Sequence, residues 1–301
     1  MKTFIKVTEI WVPDESRTQL KLANGIYGPL NEFKAVSEQT RFEFGQGLPG
    51  TVWQEARPVA ITDLTHSCFQ RTEAALQNGL TCAIALPVFA GEFLLAVMVF
   101  LCGDDEEHAG AIEVWANDSE RTNELGVIEG YYGTLEYFEF ISRKTKIMKS
   151  FGLPGQLWEK GLPILMSNLD DTAAFIRGRE AKNAGITTAL GIPFFDKGIQ
   201  VYLMTFLSAK QTPIARQIEI WLPNSETKQL EFDNGFSETG ANLSETYQSK
   251  TYAKGEGMLG RVWLTGIPAI AEDYGVENSI ETLFMPVISL GTLTAVVVFC
   301  L

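Results

Sequence analysis

The sequence predicts an α+β protein of antiparallel sheets with flanking helices, made from three copies of one unit. The repeat is the first observation. Gly47-Leu48-Pro49-Gly50-x-Val52-Trp53 returns as Gly152-Leu153-Pro154-Gly155-x-Leu157-Trp158 and again as Gly257-Met258-Leu259-Gly260-x-Val262-Trp263, in two equal steps of 105 residues. The second observation is the order of anchors around that motif. Glu9-Ile10-Trp11, Glu113-Val114-Trp115 and Glu219-Ile220-Trp221 stand upstream; Leu86-Pro87-Val88, Ile192-Pro193-Phe194 and Met285-Pro286-Val287 stand downstream, leading to Phe100, Phe206 and Phe299. The third is the apolar character of the closing runs Leu94–Leu101, Val201–Leu207 and Leu293–Leu301, which fits central strands covered on both faces.

Each element of the first unit follows from periodicity and punctuation. Phe4 to Val12 alternates apolar and polar, stops at Pro13-Asp14-Glu15-Ser16, and resumes over Gln19 to Ala23, which predicts a hairpin. Leu30 and Phe33, with Leu135, Phe138 and Ile141 in the second copy, repeat every three residues and predict a short amphipathic helix. Leu48 to Glu55 reads as a helix opened by a glycine-proline-glycine corner, and Pro58 then starts a strand. Phe69 to Asn78 is expected to be helical and to end at Gly79. Two strands, Thr81 to Phe89 and Phe93 to Leu101, turn through Ala90-Gly91-Glu92. The corner is expected to aim Trp53, Trp158 and Trp263 into the core, where truncation to alanine would cost about 3–5 kcal/mol.

Composition bounds the partners. At 301 residues the chain is two to three times a common domain, and the expected units are 1–108, 109–214 and 215–301. A net charge of −13 repels a phosphate backbone, so nucleic acid is not an expected partner. Cut at 110 and 215, the thirds carry −6, −1 and −6. The middle third owes its neutrality partly to the cluster Arg143, Lys144, Lys146 and Lys149, read as a solvated helix face. No apolar run nears the ~18 residues of a membrane span and no secretory signal opens the chain, so a cytoplasmic protein with no membrane partner is expected. Cys68, Cys82, Cys102 and Cys300 form no Cys-x-x-Cys pair and read as reduced, mostly buried thiols.

Gly47-Leu48-Pro49-Gly50-x-Val52-Trp53, followed by Arg57-Pro58-Val59-x-Ile61-x-Asp63-Leu64, Ala85-x-Pro87-Val88 and Ala96-Val97-x-Val99-Phe100, resembles the GAF domain, a family of small-molecule-binding sensory modules. The resemblance covers essentially the whole chain, three times. It implies a sheet of five or six antiparallel strands in the order 2-1-5-4-3, with a ligand pocket between one sheet face and the connecting helices. The chain departs from the family where long helices normally join one domain to the next, since only about ten residues, Cys102 to Ala111 and Ser208 to Gln217, separate the units. It also lacks the Cys-His signature of the phytochrome branch and the Asn-Lys-x-Phe-Asp-Glu motif of the cyclic-nucleotide branch.

Candidate ligand-binding residues come from the segment that the resemblance places beside the pocket. Phe69-x-Arg71-x-x-x-Ala75-x-x-x-Gly79 matches Phe175-x-Arg177-x-x-x-Ala181-x-x-x-Gly185. Arg71 and Arg177 there could clamp a carboxylate or phosphate; they could equally cap carbonyls or bridge to an acid of another unit. Unit 3 is read as structural, with a shortened pocket helix between Pro268 and Pro286. Gly47, Gly50, Gly152, Gly155, Gly257 and Gly260 are read with their tryptophans as structural corners, since Walker spacing and a βαβ context are missing. His66, Cys68 and His108 are too few for a metal site, and Asp104 to Glu107 reads as a solvated loop. No metal, cofactor or catalytic residue is expected.

The reading of function is a non-enzymatic sensory or regulatory protein. It would bind a small molecule, of anionic character if the arginines receive it, in units 1 and 2, and signal through contacts with another protein; a homo-oligomer is compatible with it. Two alternatives stay open: a thiol enzyme similar to free methionine sulfoxide reductase, using Cys68 and Cys82, and a scaffold whose pockets its own side chains fill.

Overall fold

The computed structural model describes the chain except residues 1–2, 104–108, 119–122, 170–174, 196–199, 273, 275–280 and 290. His108 and the acidic run 104–107 therefore lie outside the described residues, as do residues 273 and 275–280 of the shortened stretch of unit 3. Unit 1 runs β1 (Val7–Pro13), β2 (Gln19–Ile26), α1 (Asn31–Gln39), β3 (Arg41–Glu43), α2 (Gly47–Glu55), β4 (Val59–Ile61), α3 (Thr72–Gln77), β5 (Leu80–Ala90) and β6 (Phe93–Gly103). Unit 2 repeats it as β7 (Gly110–Asn117), β8 (Glu124–Tyr131), α4 (Glu136–Lys144), β9 (Lys146–Met148), α5 (Gly152–Lys160), β10 (Ile164–Ser167), α6 (Gly178–Asn183), β11 (Ile186–Phe195) and β12 (Val201–Ala209). Unit 3 comprises β13 (Gln217–Pro223), β14 (Leu230–Ser237), α7 (Leu243–Tyr247), β15 (Thr251–Tyr252), α8 (Gly257–Thr265), β16 (Ala269–Ala271), β17 (Thr282–Ser289) and β18 (Thr292–Cys300).

Each unit is one six-stranded antiparallel sheet. In unit 1 the order is β3-β2-β1-β6-β5-β4, and the other two sheets repeat it. The short third strand, unforeseen from sequence, extends the edge beside β2. The helix expected over Phe69 to Asn78 is shorter, because its first residues form a loop that drops Phe69 and Arg71 inward before α3 begins.

The repeated corner has a steric cause. Gly47, Gly152 and Gly257 open their helices at positive φ, a region that favours glycine. Three residues on, a Cβ at Gly50 would sit 2.1 Å from the Glu43 carbonyl oxygen; the matching distances are 2.2 Å for Gly155 and 2.1 Å for Gly260. Only glycine lets the helix approach the end of the edge strand, where the amides of Gly45, Ser150 and Gly255 donate to the carbonyls of Gly50, Gly155 and Gly260. The tryptophans of the corner are a correction: Trp53, Trp158 and Trp263 are only half-buried. The fully buried tryptophans are Trp11, Trp115 and Trp221, because their strands are central and these side chains point under the helices. At the corner the inward position belongs to Val52, Leu157 and Val262, one residue earlier.

Every long strand serves two cores. On β6, Val97, Val99 and Leu101 face outward beneath the helices of unit 1, while Ala96, Met98, Phe100 and Cys102 face a core shared by all three units. Units 2 and 3 divide in the same way, with Phe206 and Phe299 in the shared core and Leu207 and Val298 under their own helices. That is why these strands lack polar alternation. The rings of Phe100, Phe206 and Phe299 meet pairwise at centroid distances of 5.6, 6.4 and 6.2 Å. At the rim β4 abuts β8, β10 abuts β14 and β16 abuts β2, so the three heterologous contacts close into a ring within one chain. Arg57 reinforces the first seam: its Nη1 lies 2.8 Å from Glu129 Oε1, and the Ala60 amide donates to Glu129 Oε2 at 2.7 Å.

A shared core predicts a shared transition. Phe206→Ala, which removes one ring of the trio, is expected to destabilise the chain by about 3–5 kcal/mol. Calorimetry and near-UV circular dichroism should then report one lowered transition for all three units rather than loss of unit 2 alone.

Candidate functional site

The position under the helices is built by the same residues in units 1 and 2. β1 points Val7, Glu9 and Trp11 outward, α1 presents Phe33 and Ser37, and the loop before α3 supplies Phe69 and Arg71. Arg71 meets Glu9 side by side: Nη1 lies 2.5 Å from Oε1 and Nη2 lies 2.8 Å from Oε2. Nη1 also donates to the Ser37 hydroxyl. Trp11 Nε1 and the Tyr27 hydroxyl complete the Glu9 carboxylate, each at 2.9 Å. Four rings surround the guanidinium, those of Phe33, Trp11, Phe69 and Phe42, at 4.8, 5.2, 5.3 and 5.7 Å from its central carbon.

Unit 2 reproduces this. Arg177 Nη2 donates to Glu113 Oε2 at 2.8 Å, Nη1 donates to Glu113 Oε1 and to Ser142, and Thr205, Trp115 and Tyr132 supply further donors to the carboxylate. Burial alone would raise the Glu9 and Glu113 carboxyls, but the paired arginines outweigh it and hold both below the usual carboxylate range.

Arg71 and Arg177 therefore have an internal anion. Both are nearly inaccessible, with exposures of 4% and 3%, and Phe69 and Phe175 are buried against them. The anionic small molecule expected from sequence thus meets guanidinium groups already paired bidentately with glutamate. The sequence reasoning missed that partner. Its signal was the glutamate repeated two residues before a tryptophan on an apolar strand, an inward charge that needs a buried counter-charge.

Unit 3 keeps the glutamate without a cation among the described residues. Glu219 is fully buried and accepts from Gln217 Nε2 at 2.6 Å and Trp221 Nε1 at 2.7 Å, with the Tyr274 hydroxyl at 3.4 Å. Gln217 replaces Val7 and Ala111, and Tyr247 replaces Ser37 and Ser142, so neutral donors gather where the arginine stood. Burial here outweighs the hydrogen bonds and pushes the Glu219 carboxyl up.

The thiols do not assemble. Cys68 is exposed on the helical side of sheet 1, whereas Cys82 and Cys102 face the shared core from adjacent strands, so the sheet stands between Cys68 and Cys82. Strand direction separates the two thiols that the enzyme alternative would use: Ala83, not Cys82, points toward the helices. Burial and nearby Glu219 push Cys300 up to about 12. His66 is exposed and its Nδ1 lies 2.9 Å from Asp63 Oδ2; among the described residues no group of three or more histidine, cysteine, aspartate or glutamate residues could hold a metal.

The sheet order decides the fold. Setting aside the added edge strand, each sheet reads second, first, last, penultimate and then the strand after the glycine corner, which is the order of the GAF domain. The chain is three GAF-like folds in tandem. Solved GAF domains match about a third of it. That of an Acinetobacter phosphoenolpyruvate-protein phosphotransferase is 18% identical, over 33% of this chain and 55% of that one, with a TM-score of 0.26. The A. aeolicus NLH2 GAF domain is 20% identical over 33% and 58%, with a TM-score of 0.27. Free methionine-R-sulfoxide reductase of Neisseria meningitidis, solved with its substrate, is 19% identical over 33% and 52%, with a TM-score of 0.26. The chain thus spans little more than half the length of these structures. No family model matches the sequence, and no curated protein does. No helix among the described residues is long and apolar enough to cross a membrane.

The three glutamates of these GAF-like units predict opposite pH responses. Glu9 and Glu113 are depressed, so their stabilisation is present above the unfolded value near 4.5 and is lost as pH falls through the folded value. Glu219 is raised, so its contribution is complete below 4.5 and is lost as pH rises through the folded value. Glu219→Gln is expected to flatten the high-pH decline of Tm with little effect at low pH. Glu9→Gln, which strands Arg71, should cost about 3–5 kcal/mol at neutral pH in chemical denaturation.

Proposed function

We propose that this chain is a non-enzymatic regulatory scaffold, which acts through contacts of its outer surface rather than by holding a ligand under the helices of units 1 and 2. One observation carries the reading: Arg71 and Arg177, the cations best suited to receive an anion, are buried in bidentate pairs with Glu9 and Glu113 and walled by aromatic rings. A ligand would have to displace a matched carboxylate from a site with little access to water. GAF domains as a family are sensory and regulatory modules, and a scaffold that keeps their fold while plugging the site fits a body whose three units share one core. The separation of Cys68 from Cys82 counts against the thiol-enzyme alternative, because a dithiol step needs both sulfurs within bonding reach.

The test replaces the plug with apolar side chains of similar size. Glu9→Leu combined with Arg71→Met is expected to fold with stability near that of the wild type, since a buried ion pair is often replaceable at no cost while either single change is not. Thermal-shift responses to a panel of carboxylate and phosphate metabolites should be the same in the wild type and the double variant. A response present in the wild type and lost in the double variant would restore ligand binding at Arg71.

A further inference from the structure

The ring of units has three seams, and the chain joins two of them: residues 103–110 link unit 1 to unit 2, and 209–217 link unit 2 to unit 3. At the third seam, where unit 3 meets unit 1, a cleft of about 510 Å³ opens. Unit 1 lines it with Lys6, Thr8, Ile26 and Asn78, and unit 3 with Arg216 and Glu281.

Two of these residues, Thr8 and Glu281, break the repeat. Thr8 stands one residue before Glu9, where units 2 and 3 have Ile112 and Ile218 before their glutamates. Glu281 stands five residues before Pro286, where units 1 and 2 place Cys82 and Thr188 before Pro87 and Pro193. Arg216, three residues before Glu219, stands at the place of Lys6 in unit 1 and of Gly110 in unit 2, and both cations line the cleft. A shared fold does not require these changes, yet they converge on one cleft.

Their polar atoms are also unspent. Thr8 is fully buried and its Oγ1 has no hydrogen-bond partner; Arg216 Nε is buried without one. Neither the Arg216 guanidinium nor the Glu281 carboxylate forms an ion pair among the described residues, and they do not pair with each other. Glu238, whose amide donates to the Arg216 carbonyl, leaves its own buried Oε2 unpartnered rather than reaching the guanidinium. Burial and the charge of Glu272 push the Glu281 carboxyl up, against the pull of Lys34. Native folds seldom leave such groups unpaired, and a bound molecule removes the cost.

We propose that the seam between units 3 and 1 is a binding site for a small zwitterion of the amino-acid class, its carboxylate on Arg216 and its ammonium on Glu281. The guanidinium fork matches a carboxylate bidentately, and a carboxylate is the natural acceptor for an ammonium. Asn78 spends its Nδ2 on the Ala74 carbonyl, which leaves the amide oxygen for a further donor. Ile26 supplies an apolar wall for the ligand's side chain. Because the ligand touches two units, its binding free energy stabilises the one seam that no connecting segment joins.

The site is separate from the Arg71 and Arg177 pairs, so the test can fail or succeed apart from the scaffold reading. The twenty standard amino acids, each at millimolar concentration, are screened by thermal shift on the full chain, with titration calorimetry on those that respond. At least one is expected to raise Tm by about 2–4 °C, and its amine-only and acid-only analogues should not. Arg216→Gln and Glu281→Gln should each weaken its Kd by about tenfold or more, and Glu9→Leu with Arg71→Met should leave it unchanged. If either single variant does not fold, Arg216→Lys and Glu281→Asp take its place, and amide exchange on the wild type should show ligand protection at residues 5–8 and 216. No response from any amino acid, unaltered affinity in the seam variants, or equal binding of the acid-only analogue would overturn the proposal.

Discussion

Each sheet of this protein is apolar on both faces, and one face can be covered only by the other two sheets. The helices of a unit are short and lie on its outer side, so the inner faces around Phe100, Phe206 and Phe299 have no other cover. Burial of those faces is the constraint from which the rest follows. It sets the ring closure of β4 on β8, β10 on β14 and β16 on β2, and it allows connections of about ten residues in place of long joining helices.

Within that frame the three outer cores solve one problem in two ways. A glutamate on the first strand points under the helices, where an unpaired carboxylate is costly. Units 1 and 2 bring an arginine from the loop before the third helix, and rings on every side hold its plane. Unit 3 surrounds Glu219 with an amide, an indole and a tyrosine hydroxyl, which satisfy the oxygens without neutralising the charge. The repeat therefore preserves a buried acid while varying its counter-group. The polar seam residues vary differently, since Thr8 and Glu281 have no like counterparts in the other units.

Much of this was legible in the residues. The three-part repeat, the hairpins, the central closing strands and the glycine corners all follow from local periodicity and backbone rules, which act over a few residues. Arg71 and Arg177 stood out by their repeated spacing. The glutamates were visible too, but only as anchors of a strand.

What the sequence determined by itself was therefore the unit: its α+β character, its order of elements, and the glycines that its tight corner needs. Tertiary structure decided the rest, because each remaining question turned on which distant side chains meet. Strand direction put Cys82 in the shared core and Ala83 under the helices. Helix placement left Trp53 half-buried while Trp11 became the core tryptophan. The loop before α3 laid Arg71 on Glu9, 62 residues away in the chain. Closure of the ring brought Thr8 to the same cleft as Glu281, a juxtaposition that no local pattern encodes.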